Sequence, residues 1–286
     1  MRHGIVFCIL LALASRAPAQ DSVKQRLDKS PRHHEWVEVK NGDRKVACFV
    51  VFPEVKDKAT AVIVIHENKG LTDWVRGVAD QVAEAGYIAV APDCLSGMGS
   101  KGGNTDSFAS AGDATKAIGK ISQMPEQVTG DLNAAAEYAL KLPACNGKLV
   151  AAGFCWGGGQ TFRFATNRKD LKAAFVFYGP PPMNQSDLER IMCPVYGFYG
   201  GDDARINATI PKTTELMKEA GKKYEPVTYD GAGHGFMRAG EDPANEAAFQ
   251  NTATDPETQK KHNSAADNKK AHDEGWDRWL KLLKSL

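Results

Sequence analysis

Three side chains, well separated along the chain, have the types and the order needed for nucleophilic hydrolysis: Cys155, Asp203 and His234. Cys155 lies in "VAAGFCWGGGQTF", Val150 to Phe162, inside the pentad Gly153-Phe154-Cys155-Trp156-Gly157. The pattern G-x-[S/C]-x-G between a strand and a helix is a nucleophile elbow, a turn so sharp that glycine is needed on either side of the reactive residue. At this level the thiol has three readings: a working nucleophile, a small buried side chain or a half-cystine. An elbow nucleophile requires an acid and then a histidine later in the chain. Asp202-Asp203 follows "VYGFYGG", with Asp203 48 residues after Cys155, and His234 lies in "GAGHGF" 31 residues beyond that. In such a set the histidine takes the thiol proton and returns it to the leaving oxygen, while the acid holds the histidine tautomer. A free thiol is mostly neutral at pH 7, and a helix N-terminus with a neighbouring imidazole favours thiolate.

These residues need particular elements to bring them together. "AVIVIHE", Ala61 to Glu67, is a continuous β-branched run that suits a strand buried on both faces. "DWVRGVADQVAEAG" carries apolar residues at helical spacing, with Asp73 as the expected cap and Gly86 as the stop. "YIAVAPD", "KLVAAGF", "LKAAFVFYG", "CPVYGFYG" and "YEPVTYD" read as further strands. "PEQVTGDLNAAAEYALKLP" and "WGGGQTFRFATN" read as helices, and so does "ATIPKTTELMKEAG", interrupted early by Pro211. "GWDRWLKLLKSL" closes the chain as an amphipathic helix, and "EWVEVKNGD" with "KVACFVVF" forms a hairpin turning at Asn41-Gly42. Strands alternating with helices predict an α/β fold: one doubly wound, mostly parallel sheet with helices on both faces. On this reading Cys155, Asp203 and His234 all follow C-terminal ends of parallel strands, where an open α/β sheet places its site. Two stretches break the pattern. The Gly/Ser-rich stretch near 97–115 is expected as a long loop before a helix and the polar tail near 239–270 as loop plus helix, each substrate-facing or simply solvated.

The start of the chain has a different character. Arg2 and His3 precede the apolar run "GIVFCILLALA", and "APA" at Ala17 to Ala19 supplies small residues at a cleavage-type spacing. This predicts a signal peptide over 1–19, a single domain over 20–286, and a periplasmic or secreted product. The run is shorter than the roughly 20 residues a membrane span needs, so no membrane association is expected after cleavage. Cutting there removes Arg2 and Arg16 and takes the net charge from +1 to −1. That balance gives no support for a nucleic-acid partner. Five cysteines would remain: Cys48, Cys94, Cys145, Cys155 and Cys193. Export permits disulfides, the odd count leaves at least one thiol over, and any pairing among the other four is open.

The pieces "VIVIHENKGL", "GYIAVAPDCLSG", "GFCWGGG", "YGGDDARI" and "GAGHGFMR" resemble the dienelactone hydrolase family, within the α/β-hydrolases. The resemblance runs from about Ala61 through His234 and the C-terminal helix. It implies Cys155 as nucleophile, His234 as base and Asp203, rather than Asp202, as orienting acid. It also implies Glu67 as a carboxylate near the resting thiol, and Arg238 as its ion-pair partner and a contact for a substrate carboxylate. The backbone N–H groups of Asn68 and Trp156 are implied as the oxyanion hole. The implied substrate is a small ester or lactone, some of them carboxylate-bearing, with no cofactor. A second arginine of the family has no counterpart in "NTDSFASAGDATKAIGK", which supplies lysines only, and the tail after Arg238 is longer than the family pattern.

The remaining signals point elsewhere. His66-Glu67 resembles half of a zinc-binding H-E-x-x-H, but position 70 is Gly70, so no metal is expected. His33-His34 reads as a solvated face. Tyr178, Trp156 and Phe236 could line a pocket or pack the core. Two other readings stand beside the hydrolase: a non-catalytic ligand-binding protein on the same fold, and a redox sensor with a resolving cysteine near Cys155.

Overall fold

The computed structural model describes residues 22–182, 184–241 and 264–286. The expected leader over 1–19 and the centre of the expected tail, 242–263, lie outside them. Eight strands form one sheet: β1 (His34–Asn41), β2 (Arg44–Val51), β3 (Ala59–Ile65), β4 (Ile88–Pro92), β5 (Cys145–Phe154), β6 (Leu171–Phe177), β7 (Val195–Gly200) and β8 (Tyr224–Tyr229). Their spatial order is β1-β2-β4-β3-β5-β6-β7-β8. β3 to β8 run parallel, and β1 and β2 add an antiparallel edge.

The central strands bury both faces, and their side chains alternate between two cores. On β3, Ala61, Ile63 and Ile65 enter one core while Val62 and Val64 enter the other. On β5, Leu149 and Ala151 oppose Val150, Ala152 and Phe154 in the same way. This is why these segments read as unbroken apolar runs rather than as alternating ones. Helices α3 (Ala111–Ile121), α4 (Pro125–Lys141), α5 (Trp156–Asn167) and α8 (Ile210–Glu219) cover the first face. Helices α1 (Val23–Lys29), α2 (Asp73–Glu84) and α9 (Ala265–Lys284) cover the second, where Trp279 of α9 packs edge-on against Phe177 at 5.1 Å. Two single-turn helices, α6 (Gln185–Leu188) and α7 (Ala204–Asn207), sit between strands.

Several local expectations are corrected. The hairpin turns at Gly42-Asp43, because Asn41 still pairs with Arg44, and Gly42 takes the positive φ of 59° that the turn requires. Thr72, not Asp73, occupies the N-cap of α2; Asp73 is the first helical residue and accepts from Arg76. Pro211 does not interrupt a helix but opens α8, where its missing N–H costs nothing. The last helix begins at Ala265, well before Gly275. His34 is not solvated: its Nε2 lies 2.7 Å from Asp80, which also binds Ser30 and Arg32. The five cysteines left after the expected cleavage are all free thiols. Among the described residues no helix is long and apolar enough to cross a membrane.

One contact fixes α5 against the sheet. A Cβ on Gly158 would stand 2.5 Å from the Phe177 carbonyl oxygen and 3.0 Å from Gly179, both backbone. Alanine normally favours a helix interior over glycine by about 1 kcal/mol. Here the clash reverses the sign, and overpacking costs about 1–3 kcal/mol. Gly158→Ala is therefore expected to lower the melting temperature by several degrees, at about 2–4 °C per kcal/mol for a chain of this size. A thermal melt in which the variant equals or exceeds the parent contradicts this packing.

Candidate active site

The nucleophile position is built from the backbone outward. β5 ends at Phe154, α5 begins at Trp156, and Cys155 alone makes the turn with φ 54° and ψ −114°. Few non-glycine residues adopt that conformation, and it persists only where the surroundings enforce it. Enforcement comes from both sides. The Cys155 N–H donates to the Phe177 carbonyl at 3.0 Å. A Cβ on Gly153 would lie 2.3 Å from the Gly157 carbonyl oxygen, and one on Gly157 would lie 2.4 Å from the carbonyls of both Ile65 and His66. The glycines thus let α5 start directly above the ends of β5 and β3, and they leave Cys155 half-buried at the helix N-terminus.

The acid and histidine loops follow the two neighbouring strands. After β7, the Asp203 Oδ1 accepts the Ile206 N–H and caps α7, while Oδ2 lies 2.5 Å from His234 Nδ1. Gly200 makes the two loops touch, since a Cβ there would fall 2.5 Å from the Gly233 carbonyl. The Asp202 N–H donates instead to Ala232, so Asp202 ties the same loops together through its backbone. His234 Nε2 stands 3.0 Å from Cys155 Sγ. The three predicted residues therefore form one unbroken row, Sγ to imidazole to carboxylate. Burial alone would lower the His234 pKa, but the hydrogen bonds to Asp203 and then to Cys155 outweigh it and raise the imidazole to about 9. At neutral pH the ring carries the proton.

A second row runs beside the first. Glu67, buried at the end of β3, lies with Oε2 3.5 Å from Arg238 Nε and accepts the Tyr178 hydroxyl on Oε1 at 3.2 Å. Tyr178 is fully buried and turns its ring edge to His234 with 5.0 Å between centroids. Its own backbone is strained, at φ 40°, and its N–H is held by the Phe198 carbonyl. Burial, then the nearby Glu67 charge, pushes its pKa well above the ordinary value, so it remains a neutral donor. Tyr178, read from the sequence as pocket lining or core, is both: a fully buried residue that touches Glu67 and His234.

The implied oxyanion donors come from segments already in contact. Trp156 is the first residue of α5, where N–H groups have no intrahelical acceptor. Asn68 lies in the turn closed by Gly70 N–H to the Glu67 carbonyl. The long Gly/Ser-rich loop supplies none of these residues. It touches the site through Thr105, whose Oγ1 accepts from the Leu71 N–H at 3.0 Å. Phe236 is fully buried in the second core. Among the described residues no group of His, Cys, Asp and Glu could hold a metal ion.

The chain is similar to known proteins along most of its length. The dienelactone hydrolase family matches residues 46–286. A protein of Salmonella typhimurium provisionally named carboxymethylenebutenolidase is 31% identical over 196 residues, covering 64% of this chain and 70% of its own. A protein of Saccharolobus solfataricus with the same provisional name is 30% identical, covering 68% of this chain and 84% of its own. Among solved structures, a dienelactone hydrolase-like promiscuous phosphotriesterase from metagenomic libraries superposes with a TM-score of 0.71 at 21% identity, over 89% of this chain and 98% of its own. That likeness shows the fold, an α/β-hydrolase, and the match along the sequence shows more: the chain belongs to the dienelactone hydrolase family.

Proposed function

We propose that this hydrolase cleaves small esters or lactones by thiol catalysis, and that it is exported. The observation carrying the reading is the continuous row from Cys155 Sγ through His234 to Asp203, set on a strained elbow. The sulfur attacks the acyl carbon, and the oxygen that becomes negative is met by the N–H groups of Asn68 and Trp156. As the tetrahedral adduct collapses, the C–O bond to the leaving group breaks and His234 gives that oxygen its proton. The neutral imidazole then takes a proton from water, whose oxygen attacks the thioester, and the second collapse expels the sulfur beside the re-formed imidazolium and leaves a carboxylic acid. Arg238 recognises a free carboxylate on the substrate, and Glu67 is the charge it leaves behind when it does so. The leader over 1–19, with its cleavage-type end, supports export.

Two results follow. In a stopped-flow assay with an activated ester, Cys155→Ala is expected to abolish both the burst and the turnover, by about 10³-fold or more; survival of either ends the thiol mechanism. Arg238→Ala should lower the ratio of kcat/KM for carboxylate-bearing over neutral esters by about 10-fold or more, the worth of one charge-assisted hydrogen bond. An unchanged ratio removes Arg238 from recognition.

The protonated imidazole also predicts a pH limb. With a lactone or alkyl ester, whose leaving oxygen needs a proton, kcat/KM is expected to fall as pH rises through about 9. The hydrogen bond that His234 donates to Asp203 is the leading influence holding that value up, so Asp203→Asn should move the limb to lower pH. A limb that stays in place, or moves upward, contradicts the assignment.

A further inference from the structure

We infer that His66 is a positioning residue: its imidazole, bonded at both nitrogens, holds the Glu67–Gly70 turn and with it the oxyanion-binding N–H of Asn68. The inference rests on the thiol mechanism proposed above. His66 is wholly buried. Its Nδ1 lies 2.8 Å from the Glu67 carbonyl oxygen, and its Nε2 lies 3.1 Å from the Cys94 backbone nitrogen. A carbonyl can only accept and a backbone N–H can only donate, so the tautomer is fixed: Nδ1 carries the hydrogen and Nε2 accepts. Burial lowers the pKa of this ring and keeps it in that neutral form.

Each contact bears on the site. The Glu67 carbonyl that receives Nδ1–H also receives the Gly70 N–H at 3.2 Å, so the histidine reinforces the hydrogen bond that closes the turn carrying Asn68. The Cys94 N–H anchors the ring to the end of β4. The next bond along the turn has the same anchor: Leu71 N–H donates to Thr105 Oγ1, which donates to Asp93 Oδ1 at 2.8 Å. Residues 93 and 94 therefore hold both ends of the Glu67–Leu71 segment. The ring of His66 also stacks on the indole of Trp156, 5.2 Å between centroids and 16° between planes. One side chain thus touches both segments from which the oxyanion donors come. Without it, Asn68 keeps its N–H but loses the rigid aim on which such stabilisation depends, and a displacement of about 1 Å costs up to about 10²-fold in rate.

The test compares hydrolysis with alkylation. Iodoacetamide reacts with Cys155 by displacement at a saturated carbon, where no oxyanion develops. For His66→Leu, kcat on an activated ester is expected to fall about 30- to 100-fold with KM within about threefold, while the rate of Cys155 alkylation stays within about threefold. His66→Asn, whose amide can still donate toward the Glu67 carbonyl, should recover a large part of kcat. If the leucine variant does not fold, His66→Gln, which reaches the Cys94 N–H but not the Glu67 carbonyl, is expected to show the same loss of kcat relative to His66→Asn. A kcat within threefold of the parent, a loss carried by KM, an equal fall in alkylation, or no recovery in the asparagine variant overturns the role. Cys155→Ala measured alongside separates the two failures. Turnover surviving there overturns the thiol mechanism and this inference with it, whereas an inactive Cys155→Ala beside a fully active His66 variant overturns the role of His66 alone.

Discussion

Everything at this site depends on how closely the start of α5 approaches the ends of β3, β5 and β6. Cys155 holds φ 54° because Gly153 and Gly157 allow backbone to meet backbone on one side and Gly158 meets Gly179 on the other. The strain at one residue is offset by the packing of a whole helix over a sheet buried on both faces. That packing also determines the chemistry. The same approach that lifts the sulfur brings the first turn of α5 against the end of β3, where Trp156 stacks on His66, so Cys155 and the segments carrying Asn68 and Trp156 are parts of one contact.

Charge is distributed in two rows over this frame. In the first, the Asp203 carboxylate sustains an imidazolium next to sulfur. In the second, Tyr178 and Arg238 share the Glu67 carboxylate. Tyr178 belongs to both, with its hydroxyl on Glu67 and its ring edge on His234. A buried carboxylate would be costly unpaired, and here Arg238 and the Tyr178 hydroxyl both meet it.

How much of this was legible in the sequence follows from the range of each interaction. The buried strands, the amphipathic helices and the elbow were readable because periodicity and the glycine pattern are local. Asp203 and His234 were readable because a parallel sheet delivers its loops to one edge in a known order. Glu67 and Arg238 came only through resemblance, since nothing in the spacing of residues 67 and 238 pairs them. Tyr178 was read as pocket lining or core, and His66 as half a zinc motif. Their significance lies in hydrogen bonds to groups 111 and 28 residues away, which no local pattern encodes. Helix α1 and the single-turn helices α6 and α7 are too short for a periodic signal, and Asp80, which gathers Ser30, Arg32 and His34, lies on a helix face that reads as ordinary.

A cysteine in the elbow would be exposed to oxidation if the protein is exported as proposed. Cys48, Cys94, Cys145 and Cys193 are buried and unpaired, and burial pushes the Cys48 and Cys94 thiols well up and Cys193 to about 12, so these remain unreactive. Cys155 is the half-buried one, and it sits beside a protonated imidazole. The fold does not use sulfur to cross-link itself, so in an oxidising compartment its stability owes nothing to disulfides among these residues. Any exposure to oxidants falls instead on Cys155, half-buried at the N-terminus of α5 and the sulfur that the proposed mechanism needs.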